Sequence, residues 1–337
     1  MRLRKSPSFL TQIASDNLWG KRGFVKKAHL WLPLSLLVAR NASEGRLTTA
    51  AACFQVFLVV VCWGRASVLL NDLTDREIDR AAGKERWISR LPQWAAAFIL
   101  ASVAGAGVLV LVLSGAPGRA LQAYAGAVAL GLLYSVRPVR FKERGLWGMF
   151  AYSLCGTLGF VVVPWTWLGA DWQLLAVLAP AMFLDKWVNL HFHQVVDYET
   201  DCSSGTRTLA VLIGLERTRI SLQWVAVFAS ISLVAVFAFL GFLEPIWRLA
   251  IFTVCGGTVL SAALYTRRSR QHLAKATSLV RELPWPYLGL TYAVFRILPL
   301  ILFARLALAE PTMWLLTGVV GLSLLLESQH SARYRRD

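Results

Sequence analysis

Apolar stretches of about 20 residues recur along most of this chain, and they constrain its fold more than any other feature. A helix of about that length crosses the hydrocarbon core of a bilayer. Hydrophobic residues make up 56% of the sequence and charged residues only 16%, whereas soluble domains are about 25% charged. Helices satisfy their backbone hydrogen bonds internally, as lipid requires. The sequence therefore predicts an all-α, polytopic transmembrane protein.

The apolar stretches predict one bundle of nine or ten helices. The first stretch is short and is framed by His29 and Arg40, so it decides between the two counts. We predict a basic cytoplasmic segment over 1–27, a single transmembrane domain over 28–327 and a polar tail over 328–337. The predicted spans are roughly 28–41, 48–70, 94–114, 120–135, 147–168, 173–194, 221–243, 247–265, 286–308 and 312–327.

Lysine and arginine residues collect in alternate loops, after the second, fourth, sixth and eighth predicted spans. Cytoplasmic loops carry such an excess, which predicts that these loops and the N-terminus face the cytoplasm from the cell (inner) membrane. The same pattern accounts for the formal net charge of +16 without nucleic acid, because the chain has no nucleic-acid-binding motif. Anionic lipid headgroups or a diphosphate-bearing ligand are better partners for these cations.

A cluster of residues suited to binding metal follows the second span: Asn71, Asp72, Asp75 and Asp79. In a helix, their spacings place these side chains along one stripe, about 12 Å long. Like charges on one stripe are destabilising unless a metal ion neutralises them, and hard oxygen ligands suit Mg²⁺. The alternative is a solvated helix end with local ion pairs among Arg76, Glu77 and Arg80.

A second acidic cluster follows the sixth span. Asp197 and Asp201 are four residues apart and share a helix face, whereas Glu199 lies on another side. One pair with this spacing is a weak motif. Two acidic stripes predicted on the same side of the membrane are a much stronger joint signal, because ionisable residues near lipid mark functional sites by default.

The loop after the fourth span supplies cations that suit a Mg²⁺-bridged diphosphate, namely Arg137, Arg140 and Lys142. Pro138 breaks any helix there, and the alternative is an ordinary positive-inside loop. Arg65 lies within the second span and needs a carboxylate or a phosphate as its partner. For Arg65 the alternative is a structural pair with an in-bundle carboxylate such as Asp185.

Polar residues near the second cluster are candidates for the lining of the pocket mouth. His193 lies four residues before Asp197, which leaves a transition-metal site as an alternative, although a polar lining is favoured. Tyr134 and Asp185 complete these candidates.

These motifs, in this order, resemble those of the UbiA superfamily of intramembrane prenyltransferases. The resemblance spans about residues 28–308 and rests on NDxxDxxxD after the second helix and DxxxD after the sixth. A YxxxK-like element lies between them, here with Lys142 eight positions after Tyr134, and Gly205–Val211 resembles the family's turn into helix seven. The first motif is matched by Asn71, Asp72, Asp75 and Asp79, and the second by Asp197 and Asp201.

The resemblance implies Mg²⁺-dependent transfer of a prenyl group from a prenyl diphosphate to a hydrophobic acceptor within the bilayer, in a central cavity that opens to the cytoplasm. The implied metal ligands are Asn71, Asp72, Asp75, Asp79, Asp197 and Asp201, with the last four aspartates catalytic. The implied diphosphate clamp is Arg65, Arg137, Arg140 and Lys142. The chain lacks the Arg-Pro pair that many members carry soon after the first motif, and the acceptor stays open.

Two other functions are open on the sequence alone. A transporter also places carboxylates and arginines along its path, but its sites lie at the midplane between internal repeats, and no convincing repeat is visible here. A related transferase that adds phosphoribosyl to a polyprenyl phosphate would use the same acidic clusters and Mg²⁺, so the motifs do not separate it.

Overall fold

The computed structural model describes residues 31–45, 48–81, 83, 86–169, 172–243, 252–253, 255–261, 263–264 and 282–333. These residues are helical or in short connections, and none of them forms a strand. The all-α prediction is confirmed for this part of the chain. The predicted basic segment 1–27, much of the predicted span 247–265 and the end of the tail lie outside the described residues.

Twelve helices are labelled among the described residues, leaving aside the fragments at 252–264. They are α1 Trp31–Ser43, α2 Ala50–Thr74, α3 Arg76–Ala81, α4 Gln93–Leu113, α5 Gly118–Ser135, α6 Leu146–Leu168, α7 Trp172–Val196, α8 Tyr198–Ser203, α9 Leu209–Ile213, α10 Leu215–Leu243, α11 Trp285–Ala309 and α12 Trp314–Arg333. Short 3₁₀ turns occupy Ile88–Arg90, Phe141–Glu143 and Pro311–Met313.

Five of these helices, α2, α4, α6, α10 and α11, are long and apolar enough to cross a membrane. The other predicted spans among the described residues overlap α1, α5, α7 and α12; the total of nine or ten stays a prediction. Helix α10 begins at Leu215, six residues before its predicted start. Its first turns carry the charged residues Glu216, Arg217 and Arg219. The apolar stretch from which the span was predicted therefore starts only after these residues.

The pairwise contacts between the helices place α2 and α7 in the interior of the bundle. Helix α2 contacts α4 and α5, α6 contacts α5 and α7, and α7 contacts α10. Helix α11 then packs against α10, α1 and α12. By contrast, only 17% of the apolar window of α4 is buried, and its exposed Trp94 and Phe98 are suited to contact lipid. Both acidic clusters are therefore carried by interior helices.

A π-helical turn interrupts α6 at Leu158–Val162 and α11 at Ala293–Ile297. Proline follows each turn closely, at Pro164 and Pro299. A proline ring crowds the carbonyl four residues earlier and offers it no donor, so a locally wider turn accommodates it. In α6 the N–H of Val163 accordingly donates to the carbonyl five residues back.

The π turn of α6 lies against α2. A Cβ added at Gly159 would overlap the Trp63 ring, and the neighbouring Phe160 ring meets Trp63 edge-on with centroids 5.0 Å apart. The Phe160 ring also lies under Lys186 of α7, whose Nζ is 4.7 Å from the centroid. This contact holds α2, α6 and α7 together inside the bundle.

Candidate functional site

The first acidic cluster spans a break between two helices. Helix α2 ends at Thr74, and Asp75 has φ −101° and ψ 10° before α3 begins. The N–H of Asp75 still donates to the carbonyl of Asn71 at 3.0 Å, and that of Asp79 to the carbonyl of Asp75 at 2.7 Å. The helical spacing thus continues across the break, and Asn71, Asp75 and Asp79 line one cavity.

The second cluster is built in the same way. Helix α7 ends at Val196, and Asp197 has φ −91° and ψ 7° before α8 begins. The N–H of Asp197 donates to the carbonyl of His193 at 2.8 Å, and that of Asp201 to the carbonyl of Asp197 at 2.9 Å. Asp75 and Asp197 both lie in a sparsely populated backbone region where active-site residues often occur. Helices α2 and α7, which are far apart in the chain, therefore end in the same way, with an aspartate between the long helix and a short following one.

The two clusters meet at one cavity of about 250 Å³. Its lining includes four carboxylates, three cations, two amides, a histidine and three threonine hydroxyls. The ionisable and amide lining residues are Asn71, Asp75, Asp79, Arg86, Arg140, Lys142, His193, Gln194, Asp197 and Asp201. Tyr134, Ile78 and Leu190 contribute less polar surface. Residues from α2, α3, α7, α8 and the loop after α5 thus share one space.

Two cations from the loop after α5 converge on Asp75. Lys142 Nζ lies 2.5 Å from Asp75 Oδ1 and 3.3 Å from Asn71 Oδ1, and Arg140 Nη2 lies 3.1 Å from the same carboxylate oxygen. Arg140 has φ +40°, and its Nε donates to Glu143 Oε1 at 2.5 Å. Burial lowers the pKa of the Lys142 ammonium below its ordinary value, and the Asp75 carboxylate partly offsets this.

Arg86 completes the cationic lining. Its Nε lies 3.3 Å from Asp79 Oδ2 and 3.9 Å from Asp72 Oδ1. Sequence reasoning did not select Arg86 as a site residue, because it is one of several cations in its loop and nothing in the spacing distinguishes it. Arg86 reaches the cavity only because the loop after α3 folds back towards that helix.

The turn after α8 closes the site near the second cluster. Gly205 has φ +70°, a conformation that favours glycine, and the N–H of Thr206 donates back to the carbonyl of Asp201 at 2.9 Å. Thr208 Oγ1 then donates to Asp201 Oδ2 at 3.2 Å. These bonds position the Asp201 carboxylate and explain the hydroxyl-rich sequence that follows the motif.

Four predicted site residues do not line this cavity. Asp72 is buried beside Arg86, and its carbonyl accepts from Ser89 Oγ at 3.4 Å. Arg65 is buried within α2, and Arg137 lines a neighbouring groove. Asp185 is buried deeper along α7, where its Oδ1 accepts a 2.8 Å hydrogen bond from the Tyr287 hydroxyl. The functional roles predicted for these four residues stay predictions.

The predicted pocket residue Tyr134 begins a polar and aromatic set that leads away from the cavity and includes two residues, Tyr152 and Asn189, that the sequence did not indicate. The ring of Tyr134 lies 5.8 Å from that of Tyr152, and the Tyr152 hydroxyl donates to Asn189 Oδ1 at 3.2 Å. Asn189 is one helical turn from His193 on α7. Their signal in the sequence is weak because tyrosines are common at helix ends in membranes.

In the first cluster, Asp75 and Asp79 pair with cations of the chain. Among the described residues, no group of three or more histidine, cysteine, aspartate or glutamate side chains is assembled to hold a metal ion. The donors that face the cavity are nevertheless hard oxygens from both clusters, the type that Mg²⁺ prefers. Because Mg²⁺ is usually held by one or two carboxylates with waters and substrate phosphates, the donor set fits this ion.

The UbiA prenyltransferase family matches residues 31–283, whereas no curated protein sequence matches closely enough to count as a relative. A UbiA homologue from Archaeoglobus fulgidus bound to DMAPP and Mg²⁺ has 20% identity and a TM-score of 0.52, covering 69% of this chain and 86% of that one. A homologue from Aeropyrum pernix K1, in its apo structure, has 16% identity and a TM-score of 0.54, covering 90% and 98%. The chain therefore belongs to the UbiA prenyltransferase family and, with its five apolar helices, is an integral membrane protein.

Proposed function

We propose that this chain transfers a prenyl group from a prenyl diphosphate to a lipid-soluble acceptor, with Mg²⁺ as its cofactor. One observation carries the proposal: the carboxylates of two clusters, on α2–α3 and on α7–α8, line a single cavity together with Arg86, Arg140 and Lys142. The A. fulgidus homologue of the same fold, which is bound to DMAPP and Mg²⁺, supports this choice of ligands.

The charge of the cavity supports a metal-bound diphosphate. Four carboxylates against three cations leave a formal charge of −1 on the lining. A bare diphosphate would meet net repulsion there, whereas a diphosphate neutralised by divalent cations would not. Asn71, Asp75, Asp79, Asp197 and Asp201 would hold Mg²⁺, and a bound Mg²⁺ supplies Lewis-acid stabilisation of charge on the phosphate oxygens.

The cations of the chain stabilise the leaving group. Arginine binds phosphate oxygens through two parallel N–H groups and lysine as a point charge, so Arg140, Arg86 and Lys142 attract the negative charge that builds on the departing diphosphate. The C–O bond breaks with its electron pair going to the diphosphate, and the prenyl carbon becomes an allylic cation. The acceptor nucleophile attacks that carbon and then loses a proton.

The inner wall protects this cation. Tyr134 lines the cavity and lies against Tyr152, and aromatic faces stabilise a nearby cation electrostatically. Apolar neighbours such as Leu190 exclude water that would otherwise capture the cation. The isoprenoid tail then extends towards the apolar interior of the bundle. The excess of cations in the loops at this end supports a cytoplasmic orientation of the cavity.

Family membership and the position of the carboxylates favour this proposal over a transporter. The lining aspartates lie directly after α2 and α7 or in the short helices that follow them, whereas transporter sites lie near the bilayer midplane. A transferase that acts on a polyprenyl phosphate is the closer alternative, since it would need the same carboxylates. Product analysis with both classes of donor distinguishes the two enzymes.

The test measures diphosphate release from geranyl diphosphate by the purified protein, with and without Mg²⁺. We expect Asp75→Asn and Asp197→Asn each to lower the rate by about 10²–10³-fold, the size of effect seen when one electrostatic contact to a transition state is removed. Chelation of Mg²⁺ should abolish turnover.

Two nearby acids provide matched controls. Glu77 and Glu199 are exposed on the same short helices, α3 and α8, and neither lines the cavity. Glu77→Gln and Glu199→Gln should therefore retain the parent rate. Full turnover by folded Asp75→Asn and Asp197→Asn variants would contradict the proposal, as would Mg²⁺-independent uptake of a solute into proteoliposomes without diphosphate release.

A further inference from the structure

A second, more open groove of about 740 Å³ lies beside the acidic cavity and is strongly basic. Arg137, Arg144 and Arg207 line it and are exposed. Its one acidic lining residue, Glu143, already pairs with Arg140 at 2.5 Å. Three arginines therefore present positive charge to a space whose acid is neutralised within the protein, which is the signature of an anion-binding surface.

The groove is part of the folded structure. Arg144 Nη2 donates to the carbonyl of Pro138 at 3.0 Å, which joins the two ends of the loop after α5. Gly145 has φ +53°, and a Cβ added there would lie 2.6 Å from Leu212 Cδ1. Helix α9 thus packs closely on the start of α6, and this packing sets the separation between Arg207 and the loop.

Exposed apolar side chains occur on the two helix ends that flank the loop carrying Arg137 and Arg144. Exposed leucine, valine and tryptophan residues lie at the end of α5 and the start of α6, namely Leu132, Leu133, Val136, Leu146 and Trp147. Tryptophan at the end of a membrane-spanning helix lies typically at the headgroup level. A ligand in this groove would therefore place a charged head over the arginines and apolar chains along the helix ends.

We propose that the groove binds the anionic phosphate headgroup of a membrane phospholipid. Arginine recognises phosphate oxygens in a bidentate manner, and basic residues at the membrane surface attract anionic lipids. The exposed apolar residues of the neighbouring helix ends favour a lipid over free phosphate, because lipid chains would cover them and phosphate would not. Arg140 lines both the groove and the acidic cavity, so the lipid would lie one side chain away from the reaction site.

The experiment compares lipid retention by native mass spectrometry after purification from vesicles of phosphatidylglycerol and phosphatidylcholine in equal parts. We expect the parent protein to retain phosphatidylglycerol preferentially. Arg137→Gln combined with Arg207→Gln should reduce that preference by about 30-fold, given the usual contribution of two basic residues at a lipid surface.

Arg80→Gln combined with Arg217→Gln is the matched control. These arginines are exposed at the ends of α3 and α10, and their removal changes the net charge equally without touching the groove. The control should keep the lipid preference. An equal loss in both double variants, or unchanged preference in the groove variant, would overturn the proposal. Displacement of the retained lipid by millimolar inorganic phosphate would likewise overturn it by identifying a free-phosphate site.

The readout is independent of turnover. If the aspartate variants retained full prenyl transfer, the proposed function would be wrong while the lipid preference could still be measured. If the lipid preference were absent and transfer required Asp75 and Asp197, only the groove proposal would be wrong.

Discussion

Asp75 binds two cations of its own chain, since Lys142 and Arg140 both contact its Oδ1. The sequence predicted all three as ligand-binding residues from their chemistry. It did not predict that they bind one another, because 67 positions separate Lys142 from Asp75 and only the packing of the loop after α5 against α2 brings them together. Arg86 was missed for the same reason, since its contact with Asp79 depends on the path of a loop.

At this scale we predict that Lys142→Gln lowers the rate of diphosphate release by about 10²-fold. The change removes a point charge beside the leaving group and leaves Asp75 with Arg140 as its remaining contact. Steady-state kinetics with geranyl diphosphate measure the effect, and Arg80→Gln, an exposed cation outside the cavity, should react at the parent rate. A folded Lys142→Gln variant with unchanged kinetics would remove Lys142 from the mechanism.

The helices were the most predictable part of the chain, because long apolar runs leave few alternatives to a membrane-spanning helix. Their irregularities were not predictable. The first cluster was expected to continue one helix, and the observed break at Asp75 keeps the same stripe through hydrogen bonds to carbonyls four residues back. The π turn at Leu158–Val162 gives no signal in an apolar pattern, although Pro164 indicates a local disturbance.

The packing of that π turn on α2 leads to a stability prediction. Gly159→Ala should lower the free energy of unfolding by about 1–3 kcal/mol, because its new methyl group would overlap the Trp63 ring. Thermal denaturation in detergent measures this change. Gly126→Ala is the control on α5, since a Cβ there meets nothing within 4 Å. Equal melting temperatures for the two variants would contradict the close packing of α6 on α2.

At the scale of the whole molecule, the charge of the loops predicts which end of the bundle faces the cytoplasm, whereas hydropathy predicts only the spans. Both acidic clusters occur at the same end of the bundle, since they share a cavity. The sequence could predict this from alternate basic loops. It could not predict the groove of Arg137, Arg144 and Arg207, because the sequence does not show which loops lie side by side in the fold.

Orientation is testable through Cys202, which is exposed on α8 near the second cluster, whereas Cys53, Cys155 and Cys255 are buried. A membrane-impermeant maleimide should modify Cys202 in inside-out vesicles and not in intact spheroplasts. The control is Ser114→Cys in a Cys202→Ser background. Ser114 follows α4, about 30 Å from that helix's start near the site, and its labelling should be reversed. Modification of Cys202 from outside the cell would refute a cytoplasmic site.

The pairing of Asp75 with two cations of its own chain decides what else can bind beside it. An anion that draws Lys142 and Arg140 away leaves the Asp75 carboxylate without these two partners, and a positive ion that binds the carboxylate removes it from both cations, which is costly in either case. A cation and an anion that bind together avoid both penalties, since the cation binds the Asp75 carboxylate and the anion binds Lys142 and Arg140. We therefore expect a bound cation and a bound anion each to raise the affinity of the site for the other.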